Sequence, residues 1–216
     1  MTYNYQLEPH EFVDTNSEKK QIYLHHTAGT GTAQQVAKYW NNDKRGRIAT
    51  SIIIDQAGDT CICFPTSKWS YHLGLKKSVF TSKGLPYLNL DKMSIGIELV
   101  AWGWLRKVDG AYVTYVGTEV PEEEVTVLKT HFRGHKYYHS YSELQLKSLR
   151  AVLNSLSAKH NIDITYHHDQ MWEVNKKALQ GMEGLYTHCS VREDKTDVFP
   201  QPELIEMLKS KPLELS

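Results

Sequence analysis

Alternating apolar and polar positions divide much of the chain into short strands. QIYLHH, at residues 21–26, is an apolar, β-branched and aromatic run that predicts a buried strand, and GLYTH, at residues 184–188, predicts a last one. The segments TSIII and TCICF, separated by a turn at Gly58, predict a hairpin. MSIGIELVAW predicts a further strand, on which alternation places Glu98 on the face opposite Ile97. A carboxylate within so apolar a run needs a structural or functional reason.

Apolar residues at three-four spacing predict the helices. Thr32 is the expected N-cap of a first helix, whose buried stripe is Val36, Tyr39 and Trp40. A second helix follows Ser142 and buries Leu146, Leu149, Val152, Leu153 and Leu156. PELIEMLKS predicts a closing helix, and we read short helices into PEEEVTVLKTHFRGHKYY and HHDQMWEVNKKAL as well. Strands and helices in this order predict an α/β fold with a mixed central sheet flanked by helices.

One domain accounts for the whole chain. Its 216 residues, 40% of them hydrophobic, are enough to enclose a single core. We predict a polar, irregular N-terminal extension over residues 1–20, a catalytic domain over residues 21–212 and a candidate insertion at about 103–140. The long aromatic and glycine-containing loop at residues 68–92 is expected to border a cleft.

Charge and cysteine content narrow the classes of partner. The 25 basic side chains equal the 25 acidic ones, so there is no overall positive field to recruit nucleic acid. No apolar run is long enough to cross a bilayer, and the residues MTYNYQLEPHEF lack the basic stretch and apolar run expected of a signal peptide. Three cysteines, Cys61, Cys63 and Cys189, do not form a disulfide framework. We expect a monomer, made in the cytoplasm, that neither binds nucleic acid nor inserts into a membrane.

Histidines and carboxylates at strand ends provide candidate metal ligands. A catalytic zinc ion takes three ligands from the protein and leaves its fourth position to solvent. His25 closes the first buried strand, His188 closes the last, and Asp197 follows across a short loop. With eleven histidines in the chain, this spacing alone is a weak signal.

Other histidines have simpler interpretations. His131, His135 and His139 recur every fourth residue, and we assign them to the solvated face of a helix. His167 and His168 precede Asp169, which we expect to cap a helix. Cys189 neighbours His188, but on a strand its side chain would face away from it.

Motifs along most of the chain resemble a known enzyme family. YLHHTAG, SYHLG, SIGIELV and THCSVREDKTD follow one another as do the motifs of the zinc-dependent type 2 N-acetylmuramoyl-L-alanine amidases, which are themselves similar to peptidoglycan recognition proteins. The resemblance implies that fold, with Zn²⁺ held by His25, His188 and Asp197. It also implies cleavage of the amide between N-acetylmuramic acid and L-alanine in peptidoglycan or in a muropeptide.

The resemblance also implies roles for the neighbouring residues. Glu98 would take a proton from the attacking water and pass it to the leaving amine, and Lys195 would stabilise the oxyanion. His72 is expected to contact substrate or support the oxyanion. Thr50 and Ser51 stand where some members have a catalytic tyrosine, so that helper is absent or replaced by Glu98.

Two further interpretations stay open. We expect Trp69 and Tyr71 to bind substrate, although these aromatic residues, like Trp102 and Trp104, are equally compatible with a place in the core. The favoured biological setting is a phage or prophage endolysin that reaches the cell wall after release. The alternatives are a cytosolic amidase that recycles soluble muropeptides and a peptidoglycan-binding module without activity.

Overall fold

A six-stranded mixed sheet forms the centre of the molecule. The computed structural model describes the backbone of residues 2–4 and residues 7–210 in full. In spatial order the strands of this central sheet are β1 (Thr2–Asn4), β4 (Thr60–Ile62), β3 (Ile52–Ile54), β5 (Ser94–Leu99), β2 (Gln21–His26) and β11 (Gly184–Thr187). Strand β2 runs parallel to both β5 and β11, and β3 pairs antiparallel with β4. The predicted mixed sheet is therefore confirmed.

Within the part of the chain that the structure describes, six α-helices accompany the strands. They are α1 (Ala33–Asn41), α2 (Lys77–Thr81), α3 (Glu143–His160), α4 (His168–Met171), α5 (Lys176–Leu179) and α6 (Pro202–Lys209). Leucines of α3 and α6 pack against one face of the central sheet, where they form a buried cluster with Ile95, Ile97 and Leu99 of β5. The opposite face is covered by α1 and, further along, by α2 and α5. The sheet is thus flanked by helices, as the sequence predicts, and within the described residues no helix has the length and apolarity that a membrane span requires.

The predicted caps of α1 and α3 are confirmed, and the predicted buried stripes of these helices are confirmed in part. Thr32 accepts a hydrogen bond from the amide of Gln35, whose side chain accepts one in return from the amide of Thr32, and Ser142 caps α3. The buried leucines of α3 are as predicted. Tyr39 is not in the buried stripe of α1, because it is 66% exposed while Ala33 and Ala37 face the core.

Residues 104–139 form a second, antiparallel sheet that we call the accessory sheet. Its strands in spatial order are β8 (Glu119–Val120), β7 (Ala111–Val113), β6 (Trp104–Val108), β10 (His135–His139) and β9 (Val125–Phe132). The expected helix over PEEEVTVLKTHFRGHKYY is therefore wrong. Arg133 and Gly134 both adopt positive φ, which a tight hairpin turn needs, and the β-branched residues of β9 suit a strand.

The histidines of this region are consequently not one face of a helix. His139 is buried in β10, where its Nδ1 accepts a hydrogen bond from the amide of Trp102 and its Nε2 lies 3.4 Å from Glu124. His135 stacks on Trp104 with ring centroids 4.4 Å apart. Local spacing suggested a solvated face, but strand pairing turns these residues toward different neighbours.

Three further expectations need correction. The segment HHDQMWEVNKKAL forms two short helices, α4 and α5, because Asn175 caps a new helix within it. Asp169 does not cap α4, since it lies inside the first turn and His167 occupies the N-cap position without a side-chain bond. The N-terminal segment is not wholly irregular, because Thr2–Asn4 pair parallel with β4 and Leu7 is buried.

Lys19 is buried just before β2 and makes stability depend on pH. Its Nζ donates to the carbonyl oxygen of Lys92 at 2.9 Å, and burial lowers the pKa of Lys19 from 10.5 to about 7, with Asp91 acting in the opposite direction. Between these two pKa values the unfolded chain binds a proton that the folded chain lacks. The free energy of unfolding therefore rises with pH across this interval.

We predict that Lys19→Met removes this dependence. The difference in unfolding free energy between the parent and Lys19→Met should shift in favour of the parent between pH 7 and pH 9, by up to about 1.4 kcal/mol per pH unit. Urea unfolding of both proteins at the two pH values measures the change. A difference that stays constant with pH would contradict the assignment.

Candidate metal centre and cleft

Parallel pairing of β2 with β5 brings His25 and Glu98 together. The register joins His25 to Glu98 directly, and Ile53 of β3 lies on the other side of Glu98. Because the carboxyl ends of parallel strands meet at one edge of a sheet, both side chains lie at the same edge. They border a cleft of about 400 Å³.

The segment that follows β11, residues 188–197, carries the other candidate ligands and is called the ligand loop. Strand β11 ends at Thr187, one residue earlier than the sequence suggests, and His188–Ser190 form a 3₁₀ turn. The Thr187 amide donates to the Ser190 hydroxyl, which fixes the start of this turn. Asp197 then returns to the side chain of His188.

His25, His188 and Asp197 converge on one buried point, and we call them the ligand cluster. The two Nδ1 atoms are 3.1 Å apart, and Asp197 Oδ2 lies 3.2 Å from His25 Nδ1 and 2.9 Å from His188 Nδ1. Ligands about 2.0–2.1 Å from a tetrahedral zinc ion would be separated by about 3.3 Å. The spacing and the nitrogen and oxygen donors therefore fit Zn²⁺, and in the described residues this is the group of such side chains that can hold a metal ion.

Hydrogen bonds behind the cluster fix which nitrogen of each histidine faces the metal position. His188 Nε2 donates to the carbonyl oxygen of Leu73 at 3.0 Å, so its Nδ1 lone pair points into the cluster. His25 Nε2 lies 2.9 Å from His72 Nδ1, and His72 Nε2 lies 2.9 Å from the Ser94 hydroxyl. Partners of this kind orient metal-binding histidines in proteins.

The hydrogen bonds that run from His25 through His72 to Ser94 have a direction that is fixed at the Ser94 end. The Ser94 hydroxyl donates to the carbonyl oxygen of Leu90 at 2.7 Å, because a carbonyl only accepts. Ser94 therefore accepts from His72 Nε2, which leaves His72 Nδ1 to accept from His25 Nε2. This arrangement presents the lone pair of His25 Nδ1 to the cluster.

Burial keeps the imidazole of His25 in the form that binds metal. Burial, then the neighbouring His188, lowers the pKa of His25 to about 4, and burial lowers the pKa of His72 well below its usual value. Burial alone would raise the pKa of Asp197, but His188 and His25 hold that pKa well below its usual value. A neutral imidazole at His25 and a carboxylate at Asp197 are forms that coordinate zinc.

Glu98 and Lys195 both line the cleft beside the cluster. Burial raises the pKa of Glu98 to about 8, Asp197 adds to that rise, and Lys195 opposes it. A cation in the cluster would act against this rise and lower the pKa of Glu98 by direct attraction. Thr50 also lines the cleft, whereas Ser51 is buried without lining it. The structure thus brings together five predicted residues, namely His25, His188, Asp197, Glu98 and Lys195.

His72 also lines the cleft, whereas Trp69 and Tyr71 lie further out. The side chain of His72 is only 4% exposed and sits behind His25, where it contacts a ligand. Trp69 and Tyr71 pack edge to face at 5.4 Å outside the cleft lining, and Tyr71 is bridged to Ile48, which does line the cleft. Substrate binding by Trp69 and Tyr71 remains a prediction.

Comparison with protein families identifies the fold and the family. The family described as N-acetylmuramoyl-L-alanine amidase matches residues 15–198. The chain belongs to this amidase family. The family acts on peptidoglycan, and its matched region includes every member of the ligand cluster. A comparison with curated proteins found no match.

Solved structures share the fold at low sequence identity. PlyL is 12% identical, with a TM-score of 0.57 over 97% of this chain and 98% of that one. A mutant endolysin from Bacillus subtilis is 13% identical, with a TM-score of 0.53 over 97% and 96%. A selenomethionine derivative of AmpD is 14% identical, with a TM-score of 0.52 over 96% and 94%. At these identities the likeness establishes the amidase fold alone.

Arg133 of the accessory sheet supports the ligand loop of the amidase and escaped the sequence analysis. Its guanidinium donates to the carbonyl oxygens of Glu193 at 2.8 Å, Trp172 at 3.2 Å and Cys189 at 3.3 Å. No motif marks this residue, because its partners are backbone atoms distant in sequence.

Cys189 needs one further correction. It lies in the 3₁₀ turn rather than on a strand, and its Sγ donates to the carbonyl oxygen of Lys195 at 3.2 Å. The thiol therefore supports the ligand loop and is not a member of the ligand cluster. Burial raises the pKa of Cys189 to about 12, which keeps the thiol protonated.

We predict that Ser94→Ala weakens zinc binding. The substitution removes the acceptor of His72 Nε2, so His72 loses the bond that orients it toward His25. Loss of such outer partners costs about 10–100-fold in metal affinity. Competition with a fluorescent zinc chelator measures the effect, with Ser78→Ala, at an exposed position of α2, as a control. Unchanged affinity in Ser94→Ala would rule out the hydrogen-bonded chain as a support.

Proposed function

We propose that the protein is a zinc-dependent hydrolase that cuts the amide bond between N-acetylmuramic acid and the L-alanine of the stem peptide. The observation that carries the proposal is the ligand cluster, with three donor atoms within 3.2 Å of one another beside a buried glutamate. Its position in an amidase fold supports the same conclusion. A binding module without activity would not need this arrangement.

His25, His188 and Asp197 would hold the zinc ion. When bound, zinc supplies Lewis acidity that polarises an amide carbonyl and makes water more acidic. Glu98 borders the same cleft and accepts the proton of the attacking water, and it then delivers that proton to the departing amine. Lys195 adds a positive charge to the cleft and stabilises the negative oxygen that forms when the carbonyl is attacked.

The proposed setting is a phage or prophage endolysin that reaches the cell wall after release. The fold shared with the mutant endolysin from Bacillus subtilis supports this setting. The alternative is recycling of soluble muropeptides.

We predict that Glu98→Gln abolishes most of the activity but keeps the metal. Glutamine preserves the shape of the side chain and cannot transfer the proton, so kcat should fall by about 10²–10⁴-fold. Lys195→Met should lower kcat by about 10²–10³-fold through loss of the oxyanion contact. Release of free L-alanine amino termini from purified sacculi, measured beside zinc content, checks both. Full activity in zinc-loaded Glu98→Gln would remove Glu98 from the mechanism.

Substrate preference separates the two settings. An endolysin should cleave intact sacculi at least about as efficiently as soluble muropeptides, since a cell-wall polymer is its natural substrate. Parallel measurement of kcat/KM on both substrates tests this expectation. A preference for soluble muropeptides of more than tenfold would favour recycling instead.

A further inference from the structure

A solvent-exposed tyrosine of the accessory sheet stands at the rim of the cleft. The turn between β7 and β8, residues 114–118, is called the rim turn, and it carries Tyr115 at its tip with 51% of its surface exposed. Tyr115 Oη donates to the carbonyl oxygen of Ala28 at 3.3 Å, and Ala28 lines the cleft that contains the ligand cluster. The ring is therefore continuous with the cleft wall.

Two tryptophans support this ring from behind. The centroid of Tyr115 lies 6.4 Å from that of Trp102 and 6.5 Å from that of Trp104. Trp104 is itself held by His135, which stacks on it at 4.4 Å. An exposed aromatic ring backed by partly buried ones forms a rigid apolar surface, and little side-chain freedom remains to be lost on binding.

The backbone of the rim turn is equally well fixed. Thr114 is fully buried, and its amide donates to the Thr118 carbonyl oxygen at 2.8 Å. The Thr114 hydroxyl accepts from the Thr118 amide at 3.0 Å, and the Thr114 carbonyl accepts from the Gly117 amide at 3.0 Å. Tyr115 is thus presented on a closed turn, although more than half of its surface faces solvent.

The rim turn and the lining of the cleft differ in chemistry. The rim turn, with the sequence TYVGT, carries no charge. The cleft lining includes Asp194 and Lys195 of the ligand loop, and Asp194 is paired with Arg192 at 2.6 Å. The substrate of the proposed reaction is similarly two-sided, because the scissile amide joins a neutral, hydroxyl-rich glycan to a peptide with charged groups.

We propose that Tyr115, backed by Trp102 and Trp104, is a binding subsite for the glycan strand of peptidoglycan. The C–H face of a pyranose ring stacks on an aromatic ring, while its hydroxyl and acetamido groups remain in water. This inference rests on the proposed function for the identity of the glycan. It gives the accessory sheet a role in gripping the polymer on one side of the scissile bond.

Glycan strands freed of stem peptides test the subsite without requiring cleavage. The probe is a soluble strand of alternating N-acetylglucosamine and N-acetylmuramic acid, titrated into zinc-loaded protein and followed by tryptophan fluorescence. We expect Tyr115→Ala to weaken binding roughly tenfold, since it removes the stacking ring. Tyr115→Phe should bind within about twofold of the parent, because the ring remains. Val127→Ala, a control at a residue of β9 that is also 51% exposed, should bind like the parent.

Each outcome tests either the glycan subsite at Tyr115 or the proposed function. No binding by the parent, or equal binding by Tyr115→Ala, overturns the subsite. Equal loss in Tyr115→Phe and Tyr115→Ala also overturns it, because the hydroxyl bond to Ala28 rather than the ring would then matter. Binding as expected without amide cleavage by the parent would leave the subsite standing and reject the proposed function. Amide cleavage by a parent protein that does not bind the glycan would support the proposed function and reject the subsite.

Discussion

The site depends on one physical constraint: its three electron-rich donor atoms are buried and lie within 3.2 Å of one another. Two imidazole lone pairs and a carboxylate oxygen repel one another unless a proton or a cation lies between them. The protein must therefore hold them from outside. The parallel register of β2 with β5 and β11 does so in the backbone, and hydrogen bonds to His72 and to the Leu73 carbonyl do so for the rings.

The same outer contacts explain why the loop before β5 belongs to the site. Asp91 accepts hydrogen bonds from the amides of His72 and Leu73 at 2.8 and 2.9 Å, which fixes the backbone that supports both histidine ligands. Gly96 leaves room for this arrangement, since a Cβ there would lie 3.1 Å from His72 Nδ1 and closer still to Thr50. Packing, hydrogen bonding and ligand orientation are therefore satisfied by the same few residues.

The sequence predicted those parts of the structure that depend on local pattern. Hydrophobic alternation located β2 and β5, and capping residues located α1 and α3. Motif order singled out His25 and His188, whose Nδ1 atoms the fold brings within 3.1 Å of each other. The prediction from sequence was wrong in the accessory sheet. There the segment that begins with PEEE was predicted to be a helix, whereas it forms strands joined by a hairpin turn at Gly134. The position of His72 behind His25 could not be predicted, because it depends on a contact between residues 47 positions apart.

Arg133 connects the accessory sheet to the ligand loop. Two of its three bonds to backbone carbonyl oxygens, those to Glu193 and Cys189, join the β9–β10 turn to the segment that carries His188 and leads to Asp197. Residues 104–139 are for this reason mechanically coupled to the coordination geometry and are not a detachable appendage. An engineer who shortened this region, or grafted another in its place, would be altering the support of the candidate metal site as well as the surface of the protein.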